Sequence, residues 1–260
     1  MRRRNRRLAL TVLGALVVLM AIGFGARVHF QGRYHRAFAS PEGNQFEALI
    51  AIVADFFIPN DFVAKEEEIE SARRVASNNR GRLLRLTRLL EDPIAIPDDE
   101  LVGSSSMVRV PRVGQVYLAA ALSARANGNH YDAVRSRLEL LEFASAANRG
   151  GLLMHAMLRQ KLEDQALRGL DLWLRELSQE EKQTLGGEFA RILRWREPYE
   201  DFIRRESLWA RRQMRFGKNP VAWLKQKREL GNLYADSRER FEAFEPMVYD
   251  IEAAFGIVGE

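Results

Sequence analysis

The chain has 260 residues, with 40 basic and 35 acidic side chains, no cysteine and a formal net charge of +5. The basic surplus lies at the N-terminus, because residues 1–36 hold eight arginines and no acid, which leaves 32 basic and 35 acidic side chains in the other 224 residues. A nucleic-acid-binding domain has its positive excess on the folded part, so we expect no nucleic-acid partner. Without cysteine, disulfides, thiolate chemistry and a lipid-modified cysteine are excluded.

The N-terminus has the pattern of a membrane anchor. Five arginines within residues 1–7 precede 19 uncharged, mostly apolar residues, 8–26. A helix of that length crosses most of a hydrocarbon core of roughly 30 Å, since each residue advances about 1.5 Å. The predicted span includes the apolar residues Leu8, Val12, Leu16, Leu19, Ile22 and Phe24. The positive-inside rule then predicts a cytoplasmic tail over residues 1–7 and an exported main domain.

This pattern predicts an uncleaved, single-pass signal anchor in a bacterial inner membrane, with the bilayer as one partner of residues 8–26. The alternative is export with a cleaved signal peptide, for which Gly23 and Gly25 offer small residues near a cleavage site.

The exported residues have helical periodicity almost throughout. Helices are predicted over residues 44–57, from residue 61 to about 77 and, after a polar interruption at 78–81, over a short leucine-rich stretch. Residues 92–112 contain three prolines, one glycine and three serines, which is typical of a long connection. We therefore divide the chain into a juxtamembrane linker (27–43), a first helical subdomain (44–91), a loop (92–112) and a main helical domain (113–260).

Residues 113–126 and 131–147, joined by Asn127–His130, form an αα-hairpin pattern. Together with alanines at 119–121, 124 and 126, the spacing of Gly128, Tyr131 and Ala133 resembles the turn of a tetratricopeptide repeat. The first-helix tryptophan and glycine of that family are missing, Arg137 stands where an aromatic residue is usual, and no second copy follows. The resemblance implies a protein-interaction surface and no chemistry.

A broader resemblance rests on the anchor, on residues 81–90 and on residues 131–144. These stretches resemble bacterial proteins that place one membrane helix before a helical domain rich in leucine and arginine. That resemblance implies no particular activity. Arginine supplies 34 of the 40 basic side chains, which indicates codon bias rather than anion recognition.

The C-terminal half predicts further helices. Residues 151–177 are the most apolar exported stretch, with a bend expected near Gly169. Ser178 and Glu181 form a capping-box pattern for a helix to residue 195, and Pro198 restarts a helix to about 216. Two more are predicted over 221–234 and 236–255, with Pro246 as a candidate break. The predicted fold is all-α: a transmembrane helix followed by a bundle or αα-hairpin array of about eight helices.

The sequence offers no convincing catalytic, cofactor or metal motif. The four histidines at 29, 35, 130 and 155 are too scattered for metal-ligand spacing, and the serines at 104–106 lack the G-x-S-x-G context. Glu142 comes nearest to a lone acid in an apolar run, but we place it on the outer face of its helix. We predict no catalytic residue, no cofactor and no metal.

One regional asymmetry stands out. Residues 191–218 hold nine basic and four acidic side chains, whereas residues 236–260 hold seven acidic and two basic ones. A surface patch for anionic lipids or polyanions would use Arg204, Arg205, Arg211, Arg212 and Lys218. The favoured interpretation is structural: Phe202, Trp209 and Phe216 recur every seven residues as a core stripe, and the basic residues pair with the acidic helix that follows.

These observations favour a binding protein over an enzyme. The leading hypothesis is an envelope scaffold or adaptor whose helix pairs present a groove to another envelope protein, and the pattern leaves its oligomeric state open. The alternatives are an envelope hydrolase, which a cleft converging on several acids would favour, and a domain that binds membrane surfaces or anionic lipids.

Overall fold

The computed structural model describes residues 20, 22, 24–101, 106–213 and 220–257. The chain divides into two compact units, Met1–Ala39 and Ser40–Glu260. Throughout the described residues the regular structure is helical, without a β-strand, so the all-α prediction is confirmed.

In the first unit, helix α1 covers residues 24–37. Phe30, Tyr34 and Phe38 follow one another at four-residue spacing, and their ring centroids are 6.3 Å and 4.5 Å apart. Side chains four residues apart share one face of a helix, so these rings form a short aromatic ladder.

Within the described part of the chain, no helix combines the length and the apolarity that a membrane crossing requires. The predicted cytoplasmic tail lies outside the described residues, as do Leu8, Val12, Leu16 and Leu19 of the predicted span. Ile22 and Phe24 are described and exposed.

The second unit contains, in its described part, eight helices of ten or more residues and one of five. They are α2 (Phe46–Asp55), α3 (Ile69–Leu89), α4 (Ser106–Ala126), α5 (His130–Asn148), α6 (Leu153–Leu167), α7 (Leu170–Leu174), α8 (Gln179–Trp195), α9 (Tyr199–Gln213) and α10 (Pro220–Phe255). Single 3₁₀ turns lie at Glu66–Glu68 and Asp98–Glu100. The number of long helices agrees with the prediction.

The predicted αα-hairpin is present as α4 and α5. Gly128 has a φ of 76°, which a residue without Cβ adopts freely, and the side chain of Asn129 accepts the backbone N–H of Asp132 at 3.1 Å to cap α5. Ala119, Ala121 and Ala133 are fully buried. Small side chains at these positions let the two helices pack closely, and α4 makes its most extensive contacts with α5 and α3.

Other local predictions are confirmed in the C-terminal half. The bend between α6 and α7 lies at Gly169, whose φ is 68°. The Ser178 hydroxyl accepts the backbone N–H of Glu181 at 3.3 Å, and the Glu181 carboxylate accepts the backbone N–H of Ser178 at 2.8 Å. This reciprocal pair is the predicted capping box, and α8 ends at Trp195 as predicted.

The predicted interruption at residues 78–81 is wrong, because α3 runs without a break through it. Asn79 is fully buried, and its Nδ2 donates to the carbonyls of Phe57 and Val75 at 2.8 Å and 2.9 Å. Its Oδ1 accepts the backbone N–H of Phe57 at 2.9 Å. The amide is thus satisfied by the chain that leaves α2, so a polar residue that suggests a break is stable inside a helix.

The loop predicted over residues 92–112 is shorter, because α4 begins at Ser106 and contains Pro111. Pro111 lies in the second turn of α4, where it has no N–H to donate, and the helix nevertheless continues through it. Similarly, the two helices predicted over 221–255 are one helix, and Pro246 does not break α10. Phe241, Phe244, Val248, Ile251 and Phe255 are buried at alternating three- and four-residue spacing, and this continuous stripe keeps α10 against the body.

We expect Ser178→Ala to destabilise the domain by about 1 kcal/mol, because it removes the hydroxyl that satisfies an otherwise unpaired N–H at the start of α8. Urea unfolding followed by circular dichroism measures this change. Thr184→Ala is the matched control, since that hydroxyl only bonds back to the carbonyl of Glu180 within the helix. Equal losses in the two variants would contradict the capping role.

Candidate functional site

A groove of about 500 Å³ opens beside the αα-hairpin, and we call it the helix-pair groove. Helix α4 contributes Gln115, Leu118 and Leu122 to its wall, and α6 contributes Lys161 and Gln165. One edge is closed by Val63, Ala64 and Glu66 from the segment between α2 and α3. The groove is therefore lined mainly by α4 and α6, with Arg137 of α5, Trp173 of α7 and the segment between α2 and α3 at its edges.

Helix α4 holds the end of α2 and the non-helical segment after it through three side chains spaced three residues apart. Arg109 Nη1 donates to the carbonyl of Ala54 at 2.9 Å. Arg112 Nη2 donates to the carbonyl of Ile58 at 2.6 Å. Gln115 Oε1 accepts the backbone N–H of Ala64 at 3.0 Å. One face of α4 is thus a ladder of polar groups that binds main-chain atoms, and Leu118 and Leu122 continue this row into the open groove.

Trp173 lies at one end of the helix-pair groove between two cations. The guanidinium carbons of Arg125 and Arg137 are 4.8 Å and 4.5 Å from its ring centroid. Arg137, at the position where the repeat family has an aromatic residue, is buried and donates to the carbonyls of Gln165, Ala166 and Arg168 at 2.6–2.9 Å. Burial lowers the pKa of Arg137 to about 10, so it remains a cation at neutral pH. It caps the C-terminus of α6, which is where helices leave carbonyls unpaired.

The other face of α6 carries a buried ionic network. Glu163 is completely buried, and its carboxylate accepts two hydrogen bonds from Arg196, at 3.1 Å and 3.0 Å. Arg159 forms a second ion pair with Glu163 at 3.4 Å. Arg196 also donates to Glu245 of α10 at 2.7 Å. Burial lowers the pKa of Arg196, but the charge and hydrogen bonds of the two glutamates outweigh that effect and raise it.

A second buried pair lies beside this network. Arg205 of α9 donates to both carboxylate oxygens of Glu197, at 2.6 Å and 2.7 Å, and to the carbonyl of Gly151 at 2.8 Å. Arg159 donates to the carbonyl of Glu197 at 2.6 Å. The guanidinium carbons of Arg159 and Arg205 each lie 4.8 Å from the ring centroid of Phe202. Every charge in the two groups has an opposite partner, which a buried charge requires.

The ionic network forms the floor of a second groove, of about 510 Å³, which we call the acidic groove. It lies between the turn from α8 to α9 and one face of α10. Its wall contains five carboxylates: Glu197, Glu200, Glu242, Glu245 and Glu252. The stacked rings of Tyr199 and Phe241, with centroids 4.0 Å apart, supply an apolar part of the wall.

The proposed anionic-surface patch is not brought together as predicted. Arg205 is 3% exposed and belongs to the buried pair, so its assignment to that surface is wrong. Arg204 and Arg212 are exposed but pair with Asp201 and Asp98, at 3.0 Å and 2.9 Å. Arg211 is exposed, and Lys218 lies outside the described residues. The predicted core stripe is confirmed at Phe202, which is fully buried, whereas Trp209 is half-buried and Phe216 is outside the described residues.

Glu142 and His155, which the sequence singles out, are both held by contacts within the fold. Glu142 lies at the contact of α5 with α8, where Arg191 donates to it at 2.7 Å. His155 is 2% exposed at the start of α6, and its Nδ1 accepts the backbone N–H of Leu152 at 3.1 Å. An accepting nitrogen belongs to the neutral ring. Among the described residues no group of three or more histidine or acidic side chains could hold a metal ion.

The sequence signal for the polar ladder on α4 is the three-residue spacing of Arg109, Arg112 and Gln115. The prediction of a loop over residues 92–112 conceals this spacing, because Arg109 and Arg112 lie before the predicted start of the helix at residue 113. The ionic network has one local signal, the four-residue spacing of Arg159 and Glu163, because Arg196 is 33 and 49 residues from its partners Glu163 and Glu245.

Glu197→Gln is expected to destabilise the domain by roughly 3–5 kcal/mol, because it leaves the buried Arg205 cation without a counter-charge. Chemical unfolding measures the loss. Asp201→Asn, which breaks the exposed pair with Arg204, should cost less than about 1 kcal/mol. If the two variants lose similar stability, the buried pair does not have the assigned role.

Two buried groups, His155 and Glu139, make the free energy of unfolding depend on pH in opposite directions. Burial, and after it the charge of Arg205, lowers the pKa of His155 to about 4, so the stability that the neutral ring provides above pH 6.5 is lost as the pH falls toward 4. Burial raises the pKa of Glu139 to about 7. The folded state therefore binds this proton first, and the contribution of Glu139 increases as the pH falls from 7 toward 4.5.

We therefore expect Glu139→Gln to make the domain more acid-sensitive between about pH 6.5 and 4, because the variant lacks the Glu139 contribution that opposes that of His155 in this window. Unfolding free energies measured at a series of pH values compare the slopes of the variant and the parent chain. Parallel slopes would contradict the assignment. An NMR titration in which the His155 ring remains neutral at pH 5 is the direct check.

Compared with protein-family models, curated proteins and solved structures, the chain has no significant match in any of the three. Its function is therefore argued from the grooves themselves.

Proposed function

We propose that the protein is a membrane-anchored scaffold or adaptor that binds an extended segment of another envelope protein in the helix-pair groove. The observation that supports this proposal most directly is the polar ladder of α4. The ladder binds carbonyls and one amide of this chain's own main chain, at the end of α2 and in the segment that follows it, independently of side-chain identity.

The open part of the helix-pair groove has the chemistry to continue this contact. Leu118 and Leu122 offer apolar surface. Gln115 Nε2 donates to Gln165 Oε1 at 3.5 Å, which leaves the N–H groups of Gln165 as donors and the second lone pair of its Oε1 as an acceptor for a peptide backbone. An extended segment that adds main-chain hydrogen bonds and places alternate side chains on apolar surface is a common mode of peptide recognition.

The anchor and the envelope location are part of the same proposal and rest on the sequence. The arginine cluster followed by 19 uncharged residues supports an N-terminus in the cytoplasm and a main domain outside it. Attachment to a membrane would raise the local concentration of the domain near envelope partners.

The two alternatives have less support. A surface for anionic lipids would lack Arg205, which is buried, and would need Arg204 and Arg212 to leave their acidic partners. A hydrolase would use the acidic groove, but Glu197, Glu242 and Glu245 of that groove are engaged by arginines. We therefore place the binding function in the helix-pair groove.

The test replaces Leu118 with a photo-crosslinking amino acid in the full-length chain in native membranes. We expect one partner protein to be crosslinked through a defined segment, which mass spectrometry identifies. A synthetic copy of that segment should bind the purified chain, and Leu118→Arg should weaken binding at least ~tenfold by closing the groove with a charge.

Leu84 on α3 is the matched control, because it is an exposed leucine outside both grooves. A crosslinker there should capture a different set of proteins, and Leu84→Arg should change the affinity of the segment less than about twofold. The proposal fails if both positions capture the same proteins, or if Leu118→Arg leaves the affinity of the segment unchanged.

A further inference from the structure

The acidic groove is separate from the helix-pair groove, and one helix face gives it a regular pattern. Glu242, Glu245, Tyr249 and Glu252 of α10 line it at three- and four-residue spacing. Residues at this spacing share one face of a helix. The stripe is roughly 15 Å long, since each helical residue advances about 1.5 Å. Glu200, at the start of α9, lies on the opposite wall.

The sequence predicts that the basic residues of 191–218 pair with the carboxylates of α10, and most of those that the structure describes do not. Residues 236–257 hold six acidic and two basic side chains. Of the basic segment 191–213, only Arg196 forms an ion pair with α10 among the described residues, whereas the paired arginines 191, 204, 205 and 212 contact acids elsewhere. Three arginines also line the groove, Arg159, Arg196 and Arg238, and the last two pair with Glu245 and Glu242. Glu200 and Glu252 have no ion-pair partner in the described part of the chain, so the five carboxylates of the lining exceed its guanidinium groups and the groove retains a negative surplus.

The groove also has an exposed aromatic ring and a firm floor. Tyr249 is 64% exposed and lines the groove between Glu245 and Glu252. A ring face beside carboxylates attracts a guanidinium or ammonium group by cation–π and Coulomb interactions together. Below the groove lie Glu163, which Arg196 binds, and the stacked rings of Tyr199 and Phe241. Because these side chains already hold one another in place, binding requires little further ordering of side chains.

We propose that the acidic groove docks a basic segment of a partner protein. Arginine or lysine side chains of that segment pair with Glu200 and Glu252, and one cation stacks on Tyr249. The partner is a protein rather than a membrane surface, because the negative surplus repels anionic headgroups. This inference does not depend on occupancy of the helix-pair groove.

The test measures fluorescence anisotropy of a labelled synthetic helix that carries arginines at heptad spacing among alanines and leucines, with the full-length chain in detergent. We expect the double variant Glu200→Lys/Glu252→Lys to bind it at least ~tenfold more weakly, and Tyr249→Ala about threefold more weakly. The affinity should fall as salt is raised, since exposed charges are screened.

The matched control is Glu239→Lys/Asp250→Lys, which makes the same charge change on the exposed side of α10, outside the groove lining. It should change the affinity less than about twofold. Equal weakening by the two double variants would overturn the proposal, because it would indicate general attraction to an acidic protein. Equal binding of a probe with glutamate in place of arginine would overturn it as well.

Leu118→Arg separates this inference from the proposed function, because that substitution lies in the other groove. It should leave binding of the arginine probe unchanged. Loss of probe binding in Leu118→Arg would show that the probe uses the helix-pair groove and would overturn the assignment to α10.

Discussion

The arrangement of the main unit depends on one buried carboxylate, Glu163, which is completely buried on α6 between Arg159 and Arg196. A buried charge is costly unless it is paired and hydrogen-bonded, so this position constrains where two guanidinium groups must lie. Arg196 follows α8 directly and also binds Glu245 of α10. One carboxylate thereby fixes the end of α8, the start of α9 and the path of α10 against α6.

Helix α6 consequently separates the two grooves. Lys161 and Gln165 on one face line the helix-pair groove, while Arg159 lies beneath the acidic groove. The apolar and amide lining of the first suits an extended main chain, and the carboxylates of the second suit cations. Two grooves of different chemistry thus lie on opposite sides of one helix and share no lining residue.

At particular positions the structure explains why the residue is an arginine. Arg109, Arg112 and Arg137 donate to main-chain carbonyls where the chain is not helical or where a helix ends. Guanidinium groups present several donors in one plane and remain charged when buried, so they suit carbonyls that have no other partner. Of the three, Arg137 is buried and Arg109 is exposed, so the same contact with main-chain carbonyls forms both in the core and at the surface.

Local sequence patterns are sufficient to predict the all-α class, the hairpin of α4 and α5, the bend at Gly169 and the capping box at Ser178, because each depends on residues within a few positions of one another. Packing between distant parts of the chain determines that α3 continues through Asn79, that Arg205 is buried, and that the acids of α10 face a groove. These outcomes depend on contacts such as that of Asn79 with Phe57 and of Arg205 with Gly151, whose residues are 22 and 54 positions apart. Local periodicity contains no information about such distant pairs, so folding alone determines which charges are neutralised and which remain available to a partner.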